Sequence, residues 1–266
     1  MTAITFLSDY GLEDGFVASC HGVLDRIAPG SSVLDLTHLI PAGDIRRGAV
    51  VLAQTVPYLP PAIHVAVVDP GVGTRRRGIA VQAGEHTFVG PDNGVLPWAA
   101  DAVGGPERAY EITRRDLMLH PVSPTFHGRD VFAPVAAHLA GGLPLTDVGP
   151  RLALDTLVRL PEPVSRVEDR VGYGEVLTVD RFGNVQTSLA ADALPGVGAT
   201  AGDTVTLEAG GRSHAMRCCT TFGAAAPGEL LVYVDSAGLV SVAVSGASAA
   251  ARLGLGPGLP LSIRLR

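Results

Sequence analysis

The 266-residue sequence contains no lysine, and all 20 of its basic residues are arginine. A chain without a lysine amine cannot form a Schiff base, and it cannot hold a phosphate with a Walker-type lysine. Its three cysteines, Cys20, Cys218 and Cys219, form neither CxxC pairs nor an even framework. A disulfide scaffold and a cysteine zinc site are therefore not expected.

Basic clusters and long apolar stretches are also scarce. The densest basic run is Arg75–Arg77, and the net charge is −6, so we expect no nucleic-acid partner. The N-terminus lacks a basic region followed by an apolar run, and no apolar stretch is long enough to cross a bilayer. We expect a cytoplasmic protein without a membrane partner. The HExxH, GxSxG, phosphate-loop and strand-linked GxGxxG motifs are absent as well.

The composition that remains is that of a folded chain. Hydrophobic residues make up 47% of the sequence and charged residues 17%, which supports a substantial core and argues against disorder. The length fits one large domain or two smaller ones.

The first part of the chain alternates strand and helix patterns. Residues 1–150 therefore predict an N-terminal α/β domain with a mainly parallel central sheet covered by helices. The clearest strand, Ile63–Val68, is apolar and β-branched and ends at Asp69-Pro70-Gly71. Helices are predicted from Phe16 to Ile27, after an Asp44 cap, and from Val131 to Leu139.

The pattern changes in the last third of the chain. Residues 171–266 show short strands separated by glycine-rich turns, without a helix pattern of useful length, which predicts a small all-β, barrel-like domain. Residues 151–170 contain Pro161, Pro163 and several charges, and this composition is typical of a linker.

Two aspartates follow predicted strands of the first domain. Asp9 and Asp69 each lie at a strand's carboxyl end, where open α/β sheets bind ligands. Either alone is explained as a turn residue, but together they indicate a site. The loop from Asp69 to Arg76 contains two glycines and places a carboxylate and a guanidinium at its two ends. The two could form a surface ion pair of little energetic value, or both could face a small molecule.

Three further segments carry candidate groups. His127 precedes the third predicted helix in a polar loop, and its ordinary pKa near neutrality suits proton transfer, although a single histidine is more often structural. Asp180, Phe182 and Asn184 surround a glycine, which fits either a hairpin turn or a pocket for a ring-bearing ligand. Asn93 precedes Gly94 in a common turn pair, so its structural explanation is the stronger one.

These motifs occur in an order that resembles the S-adenosylmethionine hydroxide adenosyltransferase family, whose relatives include the fluorinase and chlorinase enzymes. The resemblance extends from about Ile4 to Leu255. It rests on the following segments: Ser8–Gly11, Thr37-His38, Val67–Thr74, Phe88–Gly94, Thr125–Asp130 and Asp180–Asn184.

The resemblance implies a homotrimer that hydrolyses S-adenosyl-L-methionine at the ribose 5′ carbon, giving adenosine and L-methionine, with each substrate between neighbouring subunits. Because the sequence shows no metal-ligand pattern, we also expect no cofactor and no metal. The family's catalytic set falls on Asp69, Arg76 and His127. The expected substrate-binding positions are Asp9 at the ribose, Asp14 beside it, Asn93, Asp180, Phe182, Asn184 and Ser236.

Two positions depart from the family's pattern. An aromatic residue is replaced by Gly43, which leaves one pocket wall in question. A Gly-Asn-Ala-Ala segment is replaced by Ala247-Ser248-Ala249-Ala250, so adenine contacts there would be mostly through the backbone.

The same motifs leave two alternatives open. A sulfonium leaves as a neutral thioether without a general acid, so the reaction needs one positioned water and a group that takes its proton. The first alternative is halide-dependent adenosyl transfer, which the negative charge of Asp69 disfavours. The second is a non-catalytic S-adenosylmethionine or nucleoside-binding protein, which would not need Asp69, Arg76 and His127 together.

Overall fold

A computed structural model describes residues 2–266. They form two compact units, the first ending at Leu160 and the second comprising Pro161–Arg266. Residues 151–170, the predicted linker, carry a short strand on each side of this division. Among the described residues, no helix has both the length and the apolar character that a membrane crossing requires.

The first unit is built on a seven-stranded sheet with the order β2-β1-β3-β5-β4-β6-β7. Its strands are β1 (Ala3–Ser8), β2 (Val33–Thr37), β3 (Ala62–Val67), β4 (Gly78–Ala83), β5 (His86–Pro91), β6 (Arg108–Glu111) and β7 (Arg151–Leu152). The four strands β2, β1, β3 and β5 pair in parallel, and the remaining pairings are antiparallel. The predicted α/β class is confirmed, with a sheet that is mixed at its β4–β7 edge.

Helices cover both faces of this sheet. They are α1 (Phe16–Ile27), α2 (Ile45–Thr55), α3 (Pro97–Asp101) and α4 (Ala133–Ala140). Side chains alternate across β1, so that Phe6 packs into the core under α1 and α4, and Leu7 packs into the core under α2 and α3. Burial on both faces explains why the central strands are mostly apolar, with buried Thr5 and His64 as polar exceptions.

Local signals set the helix boundaries. Asp44 caps α2 by accepting a hydrogen bond from the Arg47 amide at 2.9 Å, as the sequence predicts. The third predicted helix begins differently. A π-helical turn, Gly128–Phe132, precedes α4, and His127 is its N-cap residue.

The second unit is a closed barrel of seven strands. Its order is β9-β10-β14-β13-β12-β11-β15 and back to β9. Strand β8 pairs with β9 and is not part of the closed ring. The strands are β8 (Ser165–Glu168), β9 (Val171–Val179), β10 (Val185–Ala190), β11 (Thr204–Ala209), β12 (Arg212–Cys218), β13 (Leu230–Val234), β14 (Leu239–Val244) and β15 (Pro260–Leu265). Two short helices, α5 (Ala193–Gly196) and α6 (Ala249–Leu253), complete it.

A buried histidine links two strands of the first sheet. The ring of His64 in β3 lies 2.8 Å from Thr5 Oγ1 through Nδ1 and 2.8 Å from His86 Nδ1 through Nε2. Its side chain is fully buried. Burial, with a smaller contribution from His86, lowers the pKa of His64 to about 3. The folded chain therefore holds His64 neutral where an unfolded chain would protonate it.

This difference predicts acid sensitivity of the first unit. Below about pH 6.5 the unfolded state binds a proton that folded His64 does not, so stability falls as the pH drops from about 6.5 towards 3. At about pH 5 the loss through His64 is about 2 kcal/mol. Urea unfolding of the native protein and of His64→Gln, followed by fluorescence of the single tryptophan, Trp98, measures it. His64→Gln should lose less stability on acidification, and the exposed control His120→Gln should behave like the native protein. Parallel curves for all three would contradict the assignment.

Candidate active site

Two aspartates meet at the carboxyl edge of the first sheet. Strands β1 and β3 pair in parallel with Ser8 opposite Val67, so Asp9 and Asp69 follow neighbouring strand ends. Asp9 Oδ2 accepts a hydrogen bond from the Gly43 amide at 2.8 Å. The parallel pairing thus brings together two carboxylates that are 60 positions apart.

The glycine loop after β3 returns the chain to Asp69. Gly73 has a φ of +75°, and a Cβ there would lie 2.3 Å from the Pro124 carbonyl oxygen. Only glycine combines this backbone conformation with so close an approach. The Thr74 hydroxyl donates to the Gly71 carbonyl at 2.7 Å and closes the turn. The loop therefore delivers Arg76 to the carboxylate at which the loop began.

Arg76 holds Asp69 with several hydrogen bonds. Its Nε donates to both carboxylate oxygens, at 2.9 and 3.0 Å, and its Nη2 also donates to Oδ2. The Asp69 side chain is only 5% exposed and the Arg76 side chain only 12%. The guanidinium also lies over the Phe132 ring, 5.1 Å from its centroid. This is a mostly buried, bidentate pair rather than a surface ion pair.

The same guanidinium reaches His127. Arg76 Nη2 lies 3.0 Å from His127 Nδ1. Arginine has only donors, so Nδ1 accepts and the ring carries its proton on Nε2. Burial, and next the Arg76 charge, lower the pKa of His127. Asp69, Arg76 and a neutral His127 thus form one connected cluster, and Arg76 and His127 line a surface depression of about 480 Å³.

The segment around His127 is itself fixed. Asp130 is buried, accepts from the Ser123 amide at 2.8 Å and pairs with Arg129. Gly128 packs against the Tyr10 hydroxyl, where a Cβ would lie 1.9 Å from the oxygen. Burial raises the pKa of Tyr10 far above its usual value, so the phenol stays neutral. Tyr10 therefore joins the segment that carries Asp9 to the one that carries His127.

Two other predicted residues of the first unit stand outside this cluster. Asn93 Nδ2 donates to the Val68 carbonyl at 2.8 Å, and its Oδ1 accepts from the Val95 amide. Its amide thus braces the backbone that leads into Asp69. Asp14 is exposed in the turn before α1. Gly43, which stands where the family has an aromatic residue, has a φ of +72° and lies beside Pro70. It therefore borders the same edge of the sheet as Asp9 and Asp69.

In the second unit, Asp180 organises a tight turn. Its Oδ1 accepts from the amides of Phe182 and Asn184, each at 2.8 Å, and its Oδ2 accepts from Asn184 Nδ2 at 2.7 Å. Gly183 allows the turn to contact Ser248, because a Cβ there would lie 2.1 Å from the Ser248 hydroxyl. Asp180 therefore stabilises the turn, and the turn leaves the Phe182 side chain 77% exposed.

Phe182 and Asn184 line a groove of about 520 Å³. Its other walls are Phe222, Val244, Ser245, Gly246, Ala247 and Ser248. Two aromatic rings and a few polar groups suit a flat heterocycle. Sequence reasoning missed Phe222, although it is an isolated aromatic residue in a segment of small residues. Ser248 also caps α6, with its hydroxyl accepting from the Ala251 amide at 3.1 Å.

Ser236 does not line this groove. It is exposed in the turn between β13 and β14. The neighbouring Asp235 organises that turn by accepting from the Ala237 amide at 2.9 Å and from the Gln186 and Ser241 side chains at 2.7 Å. The described structure places Ser236 at a surface turn of the barrel.

Family comparisons cover nearly the whole chain. Residues 4–149 match the SAM hydroxide adenosyltransferase N-terminal domain, and residues 174–262 match the C-terminal domain of the same name. A Salinispora tropica protein named (R)-S-adenosyl-L-methionine hydrolase is 57% identical over 96% of this chain and 95% of its own. A Thermus thermophilus protein of the same name is 45% identical over 99% and 100%.

Two further similarities place these matches in context. A fluorinase from Actinoplanes sp. is 28% identical over 98% of this chain and 96% of its own. A solved structure of an uncharacterized conserved protein from Thermotoga maritima superposes with a TM-score of 0.91 at 38% identity, covering 98% of this chain and 99% of that one. The sequence is thus much more similar to the proteins named hydrolases than to the fluorinase.

Proposed function

The chain belongs to the SAM hydroxide adenosyltransferase family, and on that premise we propose that Asp69, Arg76 and His127 position and deprotonate the water that attacks its substrate. The chain is an enzyme that hydrolyses S-adenosyl-L-methionine to adenosine and L-methionine. The observation that carries the proposed roles is the single guanidinium that hydrogen-bonds both Asp69 and His127.

The chemistry is one displacement at the ribose 5′ carbon. The water oxygen bonds to this carbon while the carbon–sulfur bond breaks and its electron pair returns to sulfur. Methionine then leaves as a neutral thioether, and no acid is needed. Water is the weak nucleophile in this reaction. The site therefore accelerates it by holding the water in line with the carbon–sulfur bond and by accepting its proton.

The hydrogen bonds divide these tasks among the three residues. His127 accepts from Arg76 through Nδ1, so its Nε2–H is a donor that can orient the water oxygen. Asp69 keeps free lone pairs beside its bonds to Arg76 and takes the proton. We therefore propose Asp69 as the proton acceptor and His127 as the group that orients the water.

Charge favours water over halide at this position. A halide needs no base and would lie against the carboxylate of Asp69, which repels it. The Arg76 guanidinium is already paired with that carboxylate, and the neutral His127 adds no further positive charge. A purely binding protein is also disfavoured, because recognition alone gives no reason to bury a carboxylate, a guanidinium and an imidazole in one connected cluster.

The products test the reaction directly. We expect the purified protein, in EDTA and with excess chloride, to convert S-adenosyl-L-methionine to adenosine and methionine in equal amounts, as measured by chromatography and mass spectrometry. A halogenated nucleoside as the main product would support the halide alternative. Intact substrate, or turnover only after metal is added back, would contradict metal-free hydrolysis.

Substitutions test the proposed roles. Asp69→Asn removes the proton acceptor and His127→Ala removes the orienting donor, so each should lower kcat by about 10²–10⁴-fold. Substrate affinity, measured by calorimetry on the same samples, should change far less. Asp116→Asn, at an exposed ion pair with Arg114, is the matched control and should retain native kcat. Equal losses of affinity and kcat would mean that Asp69 and His127 only hold the substrate.

Other residues are proposed to bind the substrate. Asp9 suits a ribose hydroxyl, because it follows β1, the strand next to the one that leads to Asp69. Exposed Asp14 lies in the same β1–α1 connection. Phe182 and Asn184 line the groove of the barrel, where a ring can stack and an amide can bond to it. Asp180 supports them through the turn. Asn93 supports the backbone before Asp69, and Ser236 is proposed as a peripheral contact.

We also propose a homotrimer in which neighbouring subunits share each site. The catalytic cluster belongs entirely to the first unit and the aromatic groove entirely to the second, so the two halves of a site can come from different chains. Exposed apolar side chains on the first unit, including Leu12, Phe16 and Leu39, support burial against another subunit.

We also propose a cytoplasmic location, because the three unpaired cysteines fit a reducing compartment.

Complementation tests the shared site. Asp69→Ala and the double variant Phe182→Ala, Asn184→Ala should each be inactive alone. After they are unfolded together and refolded at equal amounts, about one quarter of the shared sites would combine two intact halves. Each variant refolded alone is the control, and light scattering gives the oligomeric state. A monomer, or mixed oligomers without recovered activity, would contradict the shared site.

A further inference from the structure

A second cluster of polar side chains lies away from the catalytic three. It consists of His21 on α1, Asp35 on β2 and His38 in the loop after β2. The proposed chemistry uses none of them. Their ligand atoms, one from each residue, all lie within 4.8 Å of one another.

One carboxylate oxygen faces both imidazoles. Asp35 Oδ1 lies 2.8 Å from His21 Nε2 and 3.1 Å from His38 Nε2. Two imidazole nitrogens and a carboxylate oxygen are typical ligands of zinc and related divalent metals. Zinc bonds to such atoms at about 2.0–2.2 Å. Ligand atoms around one ion are then about 3.3–3.6 Å apart in a tetrahedral site, so small side-chain shifts would admit it.

The second imidazole has an unsatisfied nitrogen. His38 is only 3% exposed, and its Nε2 is buried with no hydrogen-bond partner among residues 2–266. The nearby Asp35 oxygen is close enough, but it is outside hydrogen-bonding geometry. Buried polar atoms are nearly always paired, so an unpaired nitrogen 3.1 Å from a carboxylate oxygen indicates a missing ligand that both atoms would bind.

The surroundings resemble the outer shell of a metal site. The other nitrogen of His38, Nδ1, lies 2.7 Å from the Ser8 hydroxyl, which fixes the ring orientation. The Phe6 ring packs edge-on against the His38 ring at 4.7 Å. Metal-binding histidines commonly have their second nitrogen held in this way, with an apolar shell on one side.

We propose that His21, Asp35 and His38 bind one divalent transition-metal ion of the zinc type, with its remaining coordination positions open to water. The partial exposure of His21 and Asp35, 36% and 39%, gives the ion a path of entry. The site differs from the metal-free expectation for the reaction, because the ion is structural and takes no part in the displacement.

The ion would brace the segment that carries Asp9. The His38 carbonyl accepts from the Gly11 amide at 2.8 Å, and the Ser8 hydroxyl accepts from the Tyr10 amide at 3.3 Å. Because the Ser8 hydroxyl also lies 2.7 Å from His38 Nδ1, both ends of the segment that carries Asp9 are attached to His38. Fixing the His38 ring to α1 through the ion ties this segment to the helix.

Cobalt provides a direct readout. The full-length protein is stripped with EDTA, dialysed and titrated with Co²⁺ while visible absorption is recorded, and Zn²⁺ is then added to displace it. We expect one strongly absorbing Co²⁺ per chain, lost on adding Zn²⁺, and a higher thermal unfolding midpoint with Zn²⁺. His21→Ala and Asp35→Asn, both at partly exposed positions, should weaken binding by more than about 10²-fold.

Matched controls separate this site from surface binding. His120→Ala and Asp25→Asn remove an exposed imidazole and an exposed carboxylate elsewhere, and both should keep native Co²⁺ absorption. Near-ultraviolet circular dichroism checks the fold of every variant. Weak absorption equal to that of Co²⁺ in buffer, or binding unchanged in the His21→Ala, Asp35→Asn double variant, would overturn the proposal.

Discussion

The site depends on one guanidinium that cannot accept a hydrogen bond. Because Arg76 only donates, Asp69 opposite it is an acceptor, and His127 Nδ1 must present a lone pair. This one constraint makes the Asp69 oxygens hydrogen-bond acceptors and places the proton of a neutral His127 ring on Nε2. The proposed hydrolysis of a sulfonium uses this combination, since an acceptor and a donor around one water suffice when the leaving group needs no acid.

The fold supplies the precision that this cluster needs. Parallel pairing of β1 and β3 sets Asp9 beside Asp69, and the glycine turn returns Arg76 to the same edge. His127 comes from a third segment, which Asp130 and the Gly128–Tyr10 contact hold in place. Each group of the proposed catalytic cluster is thus held near the end of a strand or helix. The barrel contributes a separate surface, in which the Asp180 turn presents Phe182.

Much of this arrangement could be predicted from sequence. Strand boundaries before Asp9 and Asp69 placed both at one edge, and the Asp44 cap fixed the start of α2. The predicted α/β unit and β-barrel are confirmed. In the second unit the sequence pattern predicts strands at 175–179, 204–208, 230–234, 239–244 and 261–265 and misses β10 and β12. Strand β10 buries Thr187, whose hydroxyl donates to the Val240 carbonyl at 2.6 Å, and β12 contains arginine, serine and histidine. Buried Thr187 thus interrupts the apolar pattern of β10, and the polar residues of β12 are exposed or half-buried.

Contacts between distant segments could not be predicted in the same way. The tautomer of His127 depends on a neighbour 51 positions away, and the role of Phe222 depends on how the barrel closes. The histidine cluster of His21 and His38 lacks a spacing motif, because its members come from a helix, a strand and a loop. Backbone turns explain Asn93 and Asp180 more directly than ligand contacts do, since their side chains are already bonded to the chain.

The origin of the attacking oxygen tests the central claim most directly. The reaction is run in water enriched in oxygen-18, and both products are analysed by mass spectrometry. Direct attack of an activated water on the ribose 5′ carbon predicts one heavy oxygen in the 5′ hydroxyl of adenosine and none in methionine. Adenosine without the label, or label in methionine, would contradict a site built around Asp69, Arg76 and His127 to deliver water to that carbon.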